Sequence, residues 1–306
     1  MDLVTFGEAM VRLSAPAEQR LDEARSFDAY AGGSELNVAV LAARLGVTSR
    51  WVSRLPDNPL GRMIATRAAE QGVDAQVDWT SEGRVGLYFL ESGASVHITS
   101  VVYDRAGSAF SRIEPGSIDW ASMLAGARWY HVSGITPALS DGAAQVTRES
   151  LVAAKKAGLT VSYDVNYRGK LWSDGKARAV QEPLLEHVDV LVVTQEDARL
   201  VFGADSPESL AERFNLSAVA MTLRDNPCSA IVLADGHRHT APRHPVRTID
   251  RIGAGDAFTG GLIVSRLDQR GWDETVRFAT ATAGLKHTIP GDFCLINRSD
   301  VERLLQ

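Results

Sequence analysis

The stretch Asp250-Arg251-Ile252-Gly253-Ala254-Gly255-Asp256, continued by Ala257-Phe258-Thr259-Gly260-Gly261-Leu262, reads as a loop running into a helix. Gly253, Ala254 and Gly255 leave backbone N–H groups uncovered where that helix would begin. The first amides of a helix lack intrahelical partners and the dipole is positive there, so such a start attracts anions. A carboxylate, Asp256, stands in that place. One reading makes it a helix-cap residue. The other makes it a proton acceptor beside an anion hole, an arrangement suited to phosphoryl transfer: amides neutralise moving charge while the acid takes a hydroxyl proton. The second reading requires an acceptor alcohol and a nucleotide site elsewhere in the chain.

The 306 residues are enough for one large α/β domain with an insertion, or for two small domains. A formal net charge of −6 argues against a nucleic-acid partner, which would select a basic stripe. Cys228 and Cys294 lie too far apart for a metal knuckle and fit a reducing compartment. The first residues carry neither a basic segment nor a long apolar run, and no segment approaches a membrane span, so a cytoplasmic protein without a membrane partner is expected.

Outward from the quoted stretch the pattern alternates. Residues 3–6 read as a buried strand. Gly32-Gly33 precede a helix with apolar positions at threes and fours, which Gly46 ends. Residues 140–157 read as a helix; 129–132, 159–163, 188–193, 217–223 and 230–234 read as strands; helices follow at about 255–270, 273–287 and 298–306. Repeated strand–helix units predict a mostly parallel central sheet with helices on both faces. Residues 85–90 and 96–103, around the glycine turn at 91–95, break the alternation as a hairpin without helices. They predict a small inserted β-sheet, paired with residues from about 11 to 31. The expectation is a single domain, 1–306, with a lid formed by about 9–33 and 84–112.

Gly32-Gly33 with Asn37-Val38-Ala39 and Leu45-Gly46 resembles the N-terminal signature of the PfkB (ribokinase-like) carbohydrate kinases, and Gly253-Ala254-Gly255-Asp256 resembles their C-terminal signature. The resemblance covers essentially the whole chain. It implies a ribokinase-like three-layer sandwich, in which the inserted sheet is the substrate lid. Within the family, Gly7-Glu8, Gly33, Tyr88, Tyr103-Asp104-Arg105, residues 133–139, and Asp164-Val165-Asn166-Tyr167-Arg168 with Leu171-Trp172 resemble the 2-keto-3-deoxygluconate kinases.

On this reading Asp256 is the general base towards a primary sugar hydroxyl, and Gly253, Ala254 and Gly255 supply the amides. Tyr103 and Arg105, two apart in a strand, share a face, and Arg168 ends another strand after Asp164 and Asn166. Two guanidiniums converging on one pocket suit a carboxylate, which favours a sugar acid over a neutral sugar; the resemblance implies the same contacts. Either arginine can instead be a solvated charge, and Arg168 can face ATP phosphates. Gly33 would let the sugar approach the backbone or serve as a turn glycine. Asn37 would touch a sugar hydroxyl or solvent, and Tyr88 would touch substrate or pack. Asp292 matches a substrate-associated family position, or is a turn residue.

The chain also departs from the family. Arg251 replaces a small residue near the phosphate path and stands against a monovalent cation, which the resemblance otherwise allows, at this loop. The Asn-x-x-Glu motif tied to magnesium appears as Thr194-Gln195-Glu196-Asp197, leaving Asp197 as the candidate metal ligand. The Gly-x-x-Gly nucleotide loop is lost at 222–228, so Arg224, with Asn166, Thr194, Gly253 and Gly255, is assigned to the nucleotide. ATP and Mg2+ are implied. The expected activity is an ATP-dependent kinase acting on the 6-hydroxyl of 2-keto-3-deoxygluconate. The alternatives are a kinase for fructose or a ribose-type sugar, and a sugar-binding protein that has lost catalysis. The open edges of an inserted sheet favour a homodimer paired through the lids.

Overall fold

A computed structural model describes residues 1–17, 19–91, 100–223 and 228–306. The larger of two sheets has nine strands in the order β13 (His237–Pro242), β12 (Cys228–Ala234), β11 (Ala218–Thr222), β10 (Val190–Thr194), β9 (Thr160–Asp164), β8 (Trp129–Ser133), β1 (Leu3–Phe6), β4 (Ser49–Pro56), β5 (Asp74–Thr80). Neighbours from β11 to β5 run parallel; β12 and β13 are antiparallel additions. Strands β1, β8, β9 and β10 are buried along nearly their whole length, as expected where both faces are covered. The sequence did not reveal β5 or β13. Both are the edges of the sheet, and their polar, half-exposed residues show no buried apolar run.

Helices cover both faces. Besides the short α3 (Trp120–Met123), α4 (Ile135–Ala138) and α7 (Gln195–Asp197), on one side α5 (Asp141–Lys156), α6 (Asp174–Leu184) and α8 (Pro207–Phe214) pack through Val146, Leu151, Ala177 and Leu210. On the other, α1 (Ser34–Arg44), α9 (Ala254–Leu267), α10 (Trp272–Lys286) and α11 (Arg298–Leu305) pack through Leu41, Leu262, Phe278 and Val301. The pair Gly260-Gly261 sets the spacing in this second layer. A Cβ on Gly260 would lie 3.0 Å from Leu41 of α1, and one on Gly261 would lie 2.2 Å from the Thr282 hydroxyl of α10. Close contact of α1 with α9 brings the start of one helix onto the start of the other.

The second sheet has four strands, ordered β3 (Asp28–Gly32), β2 (Met10–Ser14), β6 (Gly86–Glu91), β7 (Ser100–Asp104). The outer pairs are antiparallel and β2–β6 is parallel. Val11, Ala31 and Val85 join a third apolar cluster with Leu36, Val40, Trp51 and Ile64, which seats the small sheet beside α1 and α2 (Pro59–Glu70). The expected turn between β6 and β7 lies outside the described residues.

Candidate active site

The parallel strands end on one edge of the large sheet, where a ligand crevice is expected in this topology. Glu8 follows β1 there, Asp164 and Asn166 lie at and beyond the end of β9, and Thr194 ends β10. The quoted stretch enters the same edge. Gly253 caps α9 with φ 84°, a left-handed conformation natural to glycine. A Cβ at Gly253 would also meet the Asp292 carbonyl at 2.3 Å. The helical ladder begins with Ala257 N–H donating to the Gly253 carbonyl, while the Ala254 amide donates to Arg251 at 3.3 Å. Ala254 is therefore less available than the sequence suggested. The Gly255 and Asp256 amides fall outside the ladder, and the missing side chain of Gly255 faces open space.

Asp256 is held at both oxygens by neutral donors from the start of α1. Ser34 Oγ donates to Oδ1 at 2.7 Å and Asn37 Nδ2 to Oδ2 at 2.6 Å. Asn166, at φ 39°, extends the chain by donating to Ser34 Oγ at 3.0 Å. Burial pushes the Asp256 carboxyl above the ordinary aspartate range, and the two donors, Arg168 and Lys286 oppose that shift. Asn37 and Asn166, assigned from sequence to sugar and nucleotide, here hold the candidate base. Gly33, the residue before α1, has a packing reason of its own: a Cβ would lie 2.3 Å from the Glu8 carbonyl.

The small sheet is clasped to this region by charge. Arg12 of β2 donates through Nη2 to Asp250 at 2.6 Å and through Nη1 to Asp292 at 3.2 Å, all three side chains being buried. Tyr88 of β6 donates its hydroxyl to Asp292. Burial pushes the Asp292 carboxyl up to about 6, with Arg12 and the Tyr88 bond pulling the other way. Asp250 in turn accepts from the Ile252 and Gly291 amides at 3.0 Å each. Both Tyr88 and Asp292, candidate sugar contacts, are thus engaged in a clasp that also fixes the loop leading to α9.

Tyr103 stacks beside Tyr88, centroids 5.7 Å apart, and is 38% exposed. Arg105 lies one residue beyond β7 and forms an ion pair with the buried Glu8, which Ser108 also contacts. Its charge is already compensated, whereas the exposed Arg168 has no ion pair among the described residues and donates to the Tyr167 carbonyl at 3.1 Å. The loop carrying Arg168 does reach the small sheet. Lys170 donates to the Val101 carbonyl at 2.7 Å and sits over the Tyr103 ring at 5.6 Å.

Residues 1–292 match the description pfkB family carbohydrate kinase. The chain belongs to the pfkB family of carbohydrate kinases. A Haloferax volcanii protein named 2-dehydro-3-deoxygalactonokinase is 38% identical over 310 aligned positions, covering 100% of this chain and 96% of its own length. The crystal structure of 2-dehydro-3-deoxygluconokinase from Thermotoga maritima superposes with a TM-score of 0.96 at 39% identity, covering 99% of this chain and 98% of that one. A fructokinase from Xylella fastidiosa with bound ATP superposes with a TM-score of 0.85 at 26% identity, covering 99% and 98%.

Near Asp256 this pfkB kinase gathers further acidic groups. Asp164 is pushed up to about 8, first by burial, then by Asp256 and Asp197, with Arg168 opposing. Asp197 is also raised by burial, against bonds from the Thr194 side chain and the Tyr167 backbone. Thr194 Oγ accepts from the Asp197 amide at 2.9 Å, as a helix cap. Among the described residues no group of three or more His, Cys, Asp or Glu could hold a metal by itself, so Asp197 has no ready-made cage around it. Arg224 lies outside the described residues. Arg251 is exposed, and nothing in the structure explains it. The sequence assigns no role to Ser34, Arg12 or Lys170, and marks Glu8 by the Gly7-Glu8 resemblance without its partner Arg105. Ser34 had a signal, its place three residues before Asn37 on the helix start that faces α9; the others are single charges whose partners lie far away in the chain. Among the described residues no helix is long and apolar enough to cross a membrane.

Proposed function

We propose that this carbohydrate kinase transfers the γ-phosphoryl group of ATP to the primary 6-hydroxyl of 2-keto-3-deoxygluconate or its C4 epimer, with Asp256 as general base. The observation carrying this reading is the Asp256 carboxylate: held at both oxygens by neutral donors, raised by burial, and placed in the first turn of α9, where the Cβ direction of Gly255 meets open space. A hydroxyl against Asp256 gives its proton to the carboxylate as its oxygen bonds to the γ-phosphorus. The bond from that phosphorus to the bridging oxygen breaks, and ADP leaves with the electron pair. The Gly255 and Asp256 amides meet the charge gathering on the transferring group. Ser34 and Asn37 fix the carboxylate's orientation, and Asn166 fixes Ser34.

Among the described residues no acidic cage holds a metal by itself, so a divalent cation would arrive with the nucleotide, on the side where Asp164 and Asp197 stand near Asp256. Asp197 and Asp164 would face Mg2+ brought in on the nucleotide phosphates, and the ion supplies charge neutralisation there. For the sugar, Arg168 and Lys170 are candidate cations for a carboxylate, with Tyr103 as an apolar wall. The name and near-complete alignment of the Haloferax and Thermotoga relatives support a sugar acid.

The compensated Arg105 favours one second reading, a neutral ketose as acceptor. A panel of 2-keto-3-deoxygluconate, its galactonate epimer, fructose and ribose, followed by coupled ADP detection, separates the two. The sugar acids are expected to give the highest kcat/KM. A higher value for fructose overturns the acid assignment, and sugar binding without turnover on any member overturns the kinase reading. The small sheet leaves β3 and β7 as edge strands, with Phe27 and Val102 exposed beside them. A second copy covering these edges belongs to the proposal, and the mass in solution tests it.

A further inference from the structure

Lys286, the last residue of α10, has no exposed surface, a rare position for a lysine. Its Nζ donates to the Ile289 carbonyl at 2.9 Å. Its Cε lies 3.3 Å from where a Cβ of Gly253 would stand, so the side chain runs directly under the turn that starts α9. Groups that face it include Asp250, Asp292, Cys294, Arg12, Asp256 and His287; burial lowers its pKa, and Asp250 and Asp292 oppose that shift and favour the ammonium. Both direct ion pairs to Asp250 and Asp292 come from Arg12. The ammonium of Lys286 is therefore not needed to cap either carboxylate. It remains as a charge enclosed at the junction of the 250–253 and 289–292 turns, and its field reaches Asp256. With Arg12 and Lys286 both facing Asp250 and Asp292, this junction already holds two cations against two anions. A monovalent metal ion, allowed by the sequence, does not fit there.

We propose that Lys286 is the resident cation of the phosphate cradle, its ammonium bracing the two turns and adding fixed positive charge behind the first turn of α9. It is a positioning residue, since it touches neither reacting atom. The inference rests on the reading of α9 as a phosphoryl cradle. A fixed charge in a desolvated setting acts without reorganisation when negative charge develops on the transferring group. Two consequences follow for the whole enzyme. The native protein needs no monovalent cation. A neutral side chain at 286 lowers kcat more than it weakens substrate binding.

The test compares wild type, Lys286→Met, Lys286→Ala and Lys286→Arg, each in tetramethylammonium, ammonium and potassium chloride, on whichever sugar the wild type phosphorylates. Wild-type kcat is expected to change less than about twofold among the salts. Lys286→Met, which fills the space without charge, is expected to lose roughly ten- to a hundredfold in kcat with both KM values within about threefold. Lys286→Ala leaves room for a small cation and is expected to regain about tenfold in ammonium or potassium, which Lys286→Met is not. A folded Lys286→Met with wild-type kcat overturns the proposal. So does a Lys286→Ala that no cation rescues, the mark of a merely structural role. Where the neutral variants do not fold, wild type and Lys286→Arg decide. More than about tenfold stimulation of wild type by potassium overturns the idea, as does a folded Lys286→Arg with less than about a tenth of wild-type kcat. Cation independence with activity kept in Lys286→Arg supports it. A wild type that phosphorylates nothing on the panel refutes the kinase reading instead.

Discussion

Asp256 lies in the first turn of α9 and Asp292 stands against the Gly253 turn that starts it, and both carboxyls are pushed up by burial. They are held in contrasting ways. Asp292 is gripped by a guanidinium and a phenol, Arg12 and Tyr88. Asp256 receives only a hydroxyl and an amide, Ser34 and Asn37. An ion pair favours the charged form of a carboxylate, here against a burial that still leaves the Asp292 carboxyl up at about 6. Neutral donors orient Asp256 while burial keeps its basicity. The contrast separates a carboxylate that joins two sheets from one left able to take a proton, although in sequence each is simply an Asp after a Gly.

The sharpest way to break this contrast is to neutralise both sides. Asp256→Asn is expected to lower kcat by about 10³-fold or more, near the upper range for general-base chemistry, with a melting temperature equal to or above wild type. Full residual activity would remove the base assignment. Arg12→Met should do the reverse. Leaving Asp250 and Asp292 buried without their cation is expected to destabilise the fold by about 3–5 kcal/mol, read as the denaturant midpoint at constant slope. If Arg12→Met keeps its stability and loses only rate, the clasp is part of the chemistry and the contrast fails.

The same two residues show what the sequence could and could not disclose. The start of α9 was legible because its signal is local: glycines, an acid and an apolar helix within thirteen residues. The alternating core was legible because buried strands are apolar throughout. Arg12 was invisible, since its partners stand 238 and 280 positions away and nothing near it marks it as buried. Lys286 at the end of an amphipathic helix looks like an ordinary solvated cap. From sequence Asn37 is a candidate sugar contact, because only the contact of α1 with α9, permitted by Gly260 and Gly261, shows that it points at Asp256. Strands β5 and β13 were missed for a different reason: edge strands need not hide either face.

Arg168 offers a finer comparison with Arg12. Each lowers the carboxyl it faces, but Arg12 is buried in direct contact with Asp292, whereas Arg168 is exposed and acts on Asp256 through space. Arg168→Ala is therefore expected to leave stability nearly unchanged. It should raise the KM for a sugar acid about ten- to a hundredfold, the range for losing a hydrogen bond to a charged group, while the KM for a neutral ketose stays level. An equal rise for both sugars would assign Arg168 to the phosphates.

The smallest effect concerns the donors themselves. A general base works only when deprotonated, so kcat/KM should fall as pH falls through the Asp256 pKa, and that limb should lie above the ordinary aspartate range because burial dominates. Asn37→Ala removes a bond that favours the charged form. The folded-state pKa then rises further, and the acid limb should move upward by about one unit, the equivalent of one charged hydrogen bond of modest strength. At pH values well above the limb the rate should fall by less than about tenfold, since Ser34 still orients one oxygen. The check is a pH–rate profile of wild type and Asn37→Ala. A limb that stays in place while the plateau drops would mean that Asn37 positions Asp256 without tuning it, and the distinction from Asp292 would then rest on geometry alone.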